Sequence, residues 1–240
     1  MSGANEGAGA QERVVVPVWD APVRITHWVL VLLLGGLVAT GLAGGPLLEW
    51  HMRLGQVMIG VVVFRVLWGF AGSQNARFRT FVRGPRSVVR YARSHLAHAP
   101  EIHASHNPAG GWMVVLLLAA VLVQACVGLF TNDGELWAGP LAERVTQSTS
   151  DALSWFHRRF WWVIVVLVTV HVLAVIAYLV VLRENLVSPM VRGAKRLPPA
   201  IARPDDAAAT ATRAIALLIA AFALVFGLPF RLGWSGLSRE

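Results

Sequence analysis

Four stretches of this chain, near residues 27–45, 51–72, 109–130 and 157–182, are apolar over lengths that match the about 20 helical residues needed to cross a bilayer. In hydrocarbon every backbone N–H and C=O must be paired within the protein, so such runs form helices that pack side by side. Composition agrees: 56% of the 240 residues are hydrophobic and only 14% charged, far more apolar side chain than one water-soluble core holds. A fifth run, Ala214 to Phe230, lies between Arg213 and Arg231 and contains Pro229. It is near the lower limit of about 17 residues and either spans or lies in the interface. The expected fold is all-α, a transmembrane four-helix bundle with an additional C-terminal transmembrane or interfacial helix.

A formal charge of +8 would suit a nucleic-acid binder, but its distribution along the chain argues for a different use. Lys and Arg number two before the first span (Arg13, Arg24), six in the second loop (Arg77 to Arg93) and six in the fourth (Arg183 to Arg213). The intervening loops hold Arg53, and then Arg144, Arg158 and Arg159 set against Asp133, Glu135, Glu143 and Asp151. By the positive-inside rule the N-terminus and both basic loops are cytoplasmic. The basic charge is thus a topology signal first and an anionic-lipid contact second, with no nucleic-acid partner.

Residues 1–16 read as a disordered cytoplasmic N-terminus without the apolar core of a removable signal peptide. Asp20 or Thr26 is placed to cap the first helix, and Asn107 with Pro108 starts the third span. The stretch "SVVRYARSHLAH" is amphipathic and suits the headgroup layer. Residues 196–240, opening on "LPPAIARPDD", form a linker and the last hydrophobic helix. No internal repeat is evident.

The chemistry-bearing residues are histidines inside the spans. His157 and His171 are fourteen residues apart. At 1.5 Å and 100° per residue they share one helix face, about 21 Å apart along the axis. His27, near the cytoplasmic start of the first span, matches the depth of His171, while His51, at the outer start of the second, matches His157. One imidazole in a span can be an ordinary packed residue, but two cross-helix pairs stacked along the membrane normal suit an iron porphyrin whose axial positions they fill. Zinc, which takes four closely grouped ligands, fits less well.

Arg65, fourteen residues after His51, falls at the inner depth; it either meets a haem propionate or snorkels to the cytoplasmic headgroups. Gly36, Gly41, Gly55 and Gly69 leave room for flat macrocycles or serve ordinary helix packing. The loop histidines His95, His98, His103 and His106 are expected to be solvated. Trp28, Trp50, Trp112, Trp155, Trp161 and Trp162 suit an interfacial aromatic belt. Gln124 either touches a quinone or bonds another helix, with the second favoured, and the single cysteine, Cys126, reads as a packing residue. One cysteine excludes internal disulfides, cysteine-ligated clusters and covalent CxxCH haem attachment.

Four stretches, "VWDAPVRITHW" (18–28), "HMRLGQVMIGVVVFRVLWGFAGSQNARF" (51–78), "SHNPAGGWMVVLLL" (105–118) and "HRRFWWVIVVLVTVHVLAVIAYLVVLRENLVSPMVRGAK" (157–195), resemble the bacterial cytochrome b561 family, which includes cytochrome b subunits of nickel–iron hydrogenases. The resemblance implies a di-haem transmembrane domain over 17–195, in the bacterial inner membrane, with two non-covalent haem b groups. It implies His27, His51, His157 and His171 as axial ligands, and matches Arg65, Trp68 and Gly69 to an Arg-x-x-Trp-Gly run. It further implies single-electron transfer between the quinone pool, ubiquinone or menaquinone, and a periplasmic cytochrome c, hydrogenase or similar enzyme. Two narrower readings stay open: a superoxide:quinone oxidoreductase, and a haem-bearing membrane anchor subunit of a hydrogenase or dehydrogenase. A segment after Lys195 is not part of the family's four-helix core.

Overall fold

Helix starts follow from caps. Asp20 accepts a 2.8 Å hydrogen bond from the Val23 N–H, and Pro22 sits in the first turn, where its missing N–H removes no helical bond. Thr26 instead turns its hydroxyl back onto the Pro22 carbonyl at 2.6 Å. The computed structural model describes residues 14–96, 105–199 and 210–230. A short strand β1 (Val14–Pro17) precedes α1 (Ala21–Ala43), which ends where Gly44 and Gly45 take positive φ of 65° and 54°. That left-handed turn, easy only for glycine, throws the chain straight back into α2 (Leu47–Ala71). Short helices α3 (Phe78–Phe81) and α4 (Pro85–Leu96) follow. Then come α5 (Pro108–Gly128), capped by Asn107, and α6 (Gln147–Val180), capped by Thr146. The chain continues through α7 (Val187–Arg192), β2 (Ala194–Leu197) and α8 (Thr210–Phe230).

Among the described residues, α1, α2, α5 and α6 are the helices long and apolar enough to cross a membrane, so this is a multi-pass membrane protein. Packing runs α1 on α2, α2 on α5 and α5 on α6. The centre of the bundle is α2, where Met58 and Val62 are buried against Leu118 of α5 and leucines of α1. At one pole Trp68 donates to Asp20 (2.8 Å), Arg24 donates to the Val191 carbonyl (2.7 Å) and Asn107 donates to the Tyr178 hydroxyl (2.7 Å). That pole therefore gathers the start of α1, the end of α2, the start of α5 and the end of α6, together with both Arg-rich segments. The spans alternate in direction as expected. At the far pole lie the glycine turn and the 129–146 loop.

Three sequence expectations change. Residues 14–16 are not disordered: β1 pairs antiparallel with β2, Val14 opposite Leu197 through Pro17 opposite Ala194, and buries Val16, Val18 and Leu197. Three valines are too short to read as an element when their partner lies at the other end of the domain. The same pairing carries the ribbon across the boundary drawn at 195/196. Residues 1–13 lie outside the described residues. Helix α6 begins at Gln147, ten residues ahead of its apolar run. Its first turns are polar and are tied to the preceding loop, with Ser150 donating to the Phe130 carbonyl and Ser154 accepting from the Asn132 N–H.

The last apolar run packs along α2. Arg213 donates to the Ala71 carbonyl at 3.0 Å, Ala221 is buried with Phe64 and Trp68, and the Phe222 ring covers Gly60, where a Cβ would stand 3.0 Å from Cζ. Helix α8 thus runs antiparallel to α2 from the basic pole. Its apolar stretch Ala211–Gly227 is shorter than the four spans.

Candidate functional site

The glycine turn after α1 sets His51 at the start of the second turn of α2, with its ring folded against α1. At the same level α6 carries His157, whose ring lies against the end of α5. The two rings face each other with centres 6.1 Å apart and planes at 89°. Each is anchored at its back. His51 Nδ1 lies 2.9 Å from the Leu37 carbonyl and His157 Nδ1 lies 3.0 Å from the Gln124 carbonyl, so each ring N–H donates there and its Nε2 is the free donor atom.

Both anchors use the same local device. A helical carbonyl at position i already accepts from the N–H at i+4, and its second lone pair is reachable only if the residue at i+4 is small. Position i+4 is Gly41 for Leu37 and Gly128 for Gln124. A Cβ on Gly41 would lie 2.9 Å from His51 Cε1 and 3.0 Å from Nδ1; one on Gly128 would lie 3.0 Å from His157 Cε1. Two helix pairs therefore hold one imidazole each by the same carbonyl-and-glycine seat.

At the basic pole, His27 of α1 faces His171 of α6 with ring centres 6.5 Å apart and planes at 58°. At the same pole Arg65 is buried, 5% exposed, with its guanidinium 5.6 Å from the centre of the Phe78 ring. It does not snorkel out. His106, just ahead of α5, is wedged between Trp19 and Phe81 with ring centres 4.5 Å from each. Burial, then the Arg65 guanidinium, then His171 push His106 down to about 3, so its imidazole is neutral.

The spacing tests what these pairs can hold. Two metal–imidazole bonds of about 2.0–2.1 Å, with about 1.2 Å from each nitrogen to its ring centre, put the ring centres of imidazoles on opposite sides of one metal about 6.4–6.6 Å apart. The observed 6.5 Å lies within that range and 6.1 Å a few tenths of an ångström below it. Among the described residues no three His, Cys, Asp or Glu side chains gather, so each level offers two nitrogens and neither carboxylate nor thiolate. That donor set fits an iron porphyrin, which needs only its two axial positions filled, better than zinc.

The other singled-out residues divide. Gln124 bonds another helix: its Nε2 donates to the His157 carbonyl at 3.0 Å while its own carbonyl takes the ring N–H. Of the four glycines chosen from sequence, Gly41 seats a histidine ring, whereas Gly36 meets Leu54, Gly55 meets Leu37 and Gly69 packs on Phe78. Gly128 was not singled out; its place four residues after Gln124 was the available signal. The expectation of solvated loop histidines fails for His106, which is boxed by aromatic rings contributed by distant segments. His98 and His103 lie outside the described residues, as does the side chain of His95. Trp28, Trp50, Trp112, Trp155 and Trp162 are exposed at span ends, as an interfacial belt requires. Cys126 is free and half-buried.

A multi-pass bundle with facing histidine pairs at two depths defines a membrane cytochrome of the b type, a haem protein of electron transfer. The profile of prokaryotic cytochrome b561 matches residues 18–193. The chain belongs to that family. It is similar to proteins named probable Ni/Fe-hydrogenase B-type cytochrome subunit: 26% identical to that of Bradyrhizobium diazoefficiens, over 79% of this chain and 90% of that protein. The Azotobacter vinelandii relative is 28% identical, over 78% of this chain and 93% of that protein. The Ni/Fe-hydrogenase 1 counterpart of Escherichia coli K12 is 24% identical, over 73% and 88%. No solved structure matches this chain.

Proposed function

We propose that this cytochrome carries two haem b groups, one between His27 and His171 and one between His51 and His157, and passes electrons between the quinone pool and a redox enzyme at the far pole. The single observation that carries this reading is the pair of imidazole–imidazole separations, 6.1 and 6.5 Å, at two depths. Haem iron held by two imidazoles supplies one-electron redox chemistry with no open position for dioxygen. Leu37 and Gln124 orient the far-pole imidazoles, while the apolar side chains of the bundle exclude water and tune potential. The basic pole faces the cytoplasm of a bacterial inner membrane, which the Arg distribution supports. Helix α8 adds a fifth crossing beside α2, supported by its contacts along that helix.

For the partner, the names of the relatives favour a hydrogenase, with this chain as its membrane subunit. The superoxide reading draws less support, because two of the three arginines it invokes have local partners: Arg53 pairs with Glu49 and lies over Trp50, and Arg159 lies 4.2 Å from the centre of the Trp155 ring, while Arg158 is exposed. The test is direct. Purified protein should contain two haem b per chain by pyridine haemochrome, and a quinol analogue should reduce them under anaerobic conditions. Haem without quinol reduction removes the quinone role; a colourless protein removes the whole reading.

A further inference from the structure

His106 has no part in axial ligation, yet it is built into the interior. Its Nδ1 is buried and meets no hydrogen-bonding partner among the described residues, and the same holds for Nη1 of Arg65. An unpaired buried donor retains its full desolvation penalty, and for a guanidinium that penalty is large. The two groups border one aromatic cluster. Arg65 lies over Phe78, Phe78 packs on Phe81, and Phe81 packs on His106, whose ionisation is influenced by both Arg65 and His171. The nearby Asp20 acts on Arg65 through its charge, but its oxygens already accept from other donors, one from the Val23 N–H and the other from Trp68 Nε1. Glu184, the other described carboxylate of this pole, pairs with Lys195.

We propose that His106 and Arg65 form one clamp for an anionic oxygen, and that the anion is a propionate carboxylate of the haem between His27 and His171. The proposal rests on the ligation reading above. A carboxylate fits better than a quinone carbonyl because Asp20 reaches Arg65 only through its field, Nη1 still lacks an acceptor, and an ionised acceptor makes the stronger, charge-assisted bond to a guanidinium. His106 is then a positioning residue: its ring is fixed by Trp19 and Phe81, and its N–H holds one edge of the macrocycle.

The test uses the full-length protein with its haems in nanodiscs. The wild type is assayed first, and fewer than two haems per chain would refute the ligation reading itself. With two present, His106→Phe keeps a ring between Trp19 and Phe81 and removes the donor, while His106→Gln keeps a donor. The far-pole haem reports folding in each sample; should His106→Phe lose both haems, His106→Met replaces it. The expected result for His106→Phe is a lower midpoint potential of the basic-pole haem and a shifted propionate bending band in its resonance Raman spectrum. Transfer of that haem to apomyoglobin should be faster by on the order of tenfold or more, with partial rescue in His106→Gln. Wild-type potential, band and transfer rate in His106→Phe would overturn the proposal. So would a raised KM for quinol with those three unchanged, because the oxygen held would then be the quinone's.

Discussion

On the proposed two-haem reading, replacing Gly41 with alanine should weaken the far-pole haem while leaving the fold intact. The added methyl would stand 2.9 Å from His51 Cε1 and 3.0 Å from Nδ1, against an optimal carbon–carbon separation of about 3.5–4.0 Å. The ring must therefore retreat by roughly 0.5 Å or more. His51 Nδ1 is 2.9 Å from the Leu37 carbonyl, and a shift of that size carries the contact to the limit of a hydrogen bond. Losing it costs about 0.5–1.5 kcal/mol, while alanine in place of helical glycine returns up to about 1 kcal/mol. Overall stability should change little. Haem affinity should fall about 10- to 100-fold, the usual consequence of losing a partner that orients a metal-ligating histidine. The assay is haem retention per chain, with the low-spin electron paramagnetic resonance signal of each haem, compared between Gly41→Ala and Gly35→Ala. Gly35 is the control because a Cβ there meets nothing within 4 Å. An unchanged far-pole haem signal in Gly41→Ala, or equal loss in Gly35→Ala, would refute the seat. Gly128→Ala should reproduce the effect through His157.

His171→Ala should remove the basic-pole haem and spare the other, and His157→Ala should do the reverse; loss or retention of both together, in protein that still folds, contradicts the pairing. Asp20→Ala removes the α1 cap, about 1 kcal/mol, and leaves the Nε1 of fully buried Trp68 without an acceptor, about 1–3 kcal/mol more. Thermal unfolding should show it well below Thr26→Val, whose hydroxyl serves only its own turn; equal melting temperatures would dismiss the tie. In the far-pole loop, desolvation is the largest single influence on the Asp133 carboxyl and raises it, but the backbone N–H groups of Glu135, Trp137 and Leu136 together outweigh it and hold the group below its ordinary 3.8. The carboxylate's contribution to that loop is complete above 3.8 and drains away as the pH falls through the lower folded value. Protection of the Glu135 and Trp137 amides, measured against their intrinsic exchange rate at each pH, should therefore fall only in acid, and Asp133→Asn should abolish that dependence. An unchanged acid profile in Asp133→Asn would show that another group governs the loop.

Spans, their alternation and the two histidine levels were legible in the residues alone because each is a local quantity. Helix rise converts residue number into depth, and hydrocarbon thickness sets where a span begins and ends. His27 with His171 and His51 with His157 followed from that arithmetic without knowing which helices touch. What surrounds those rings is decided between elements remote in the chain. Nothing near His157 in sequence announces that its N–H will find the Gln124 carbonyl past Gly128, and nothing near His106 announces a wall of Trp19 and Phe81. The ribbon of β1 with β2 and the seating of Phe222 on Gly60 are likewise pairings across most of the chain. Depth along a helix is inherited from the backbone's own repeat, but rotation about its axis, and therefore the partners of each side chain, is set only when the helices pack.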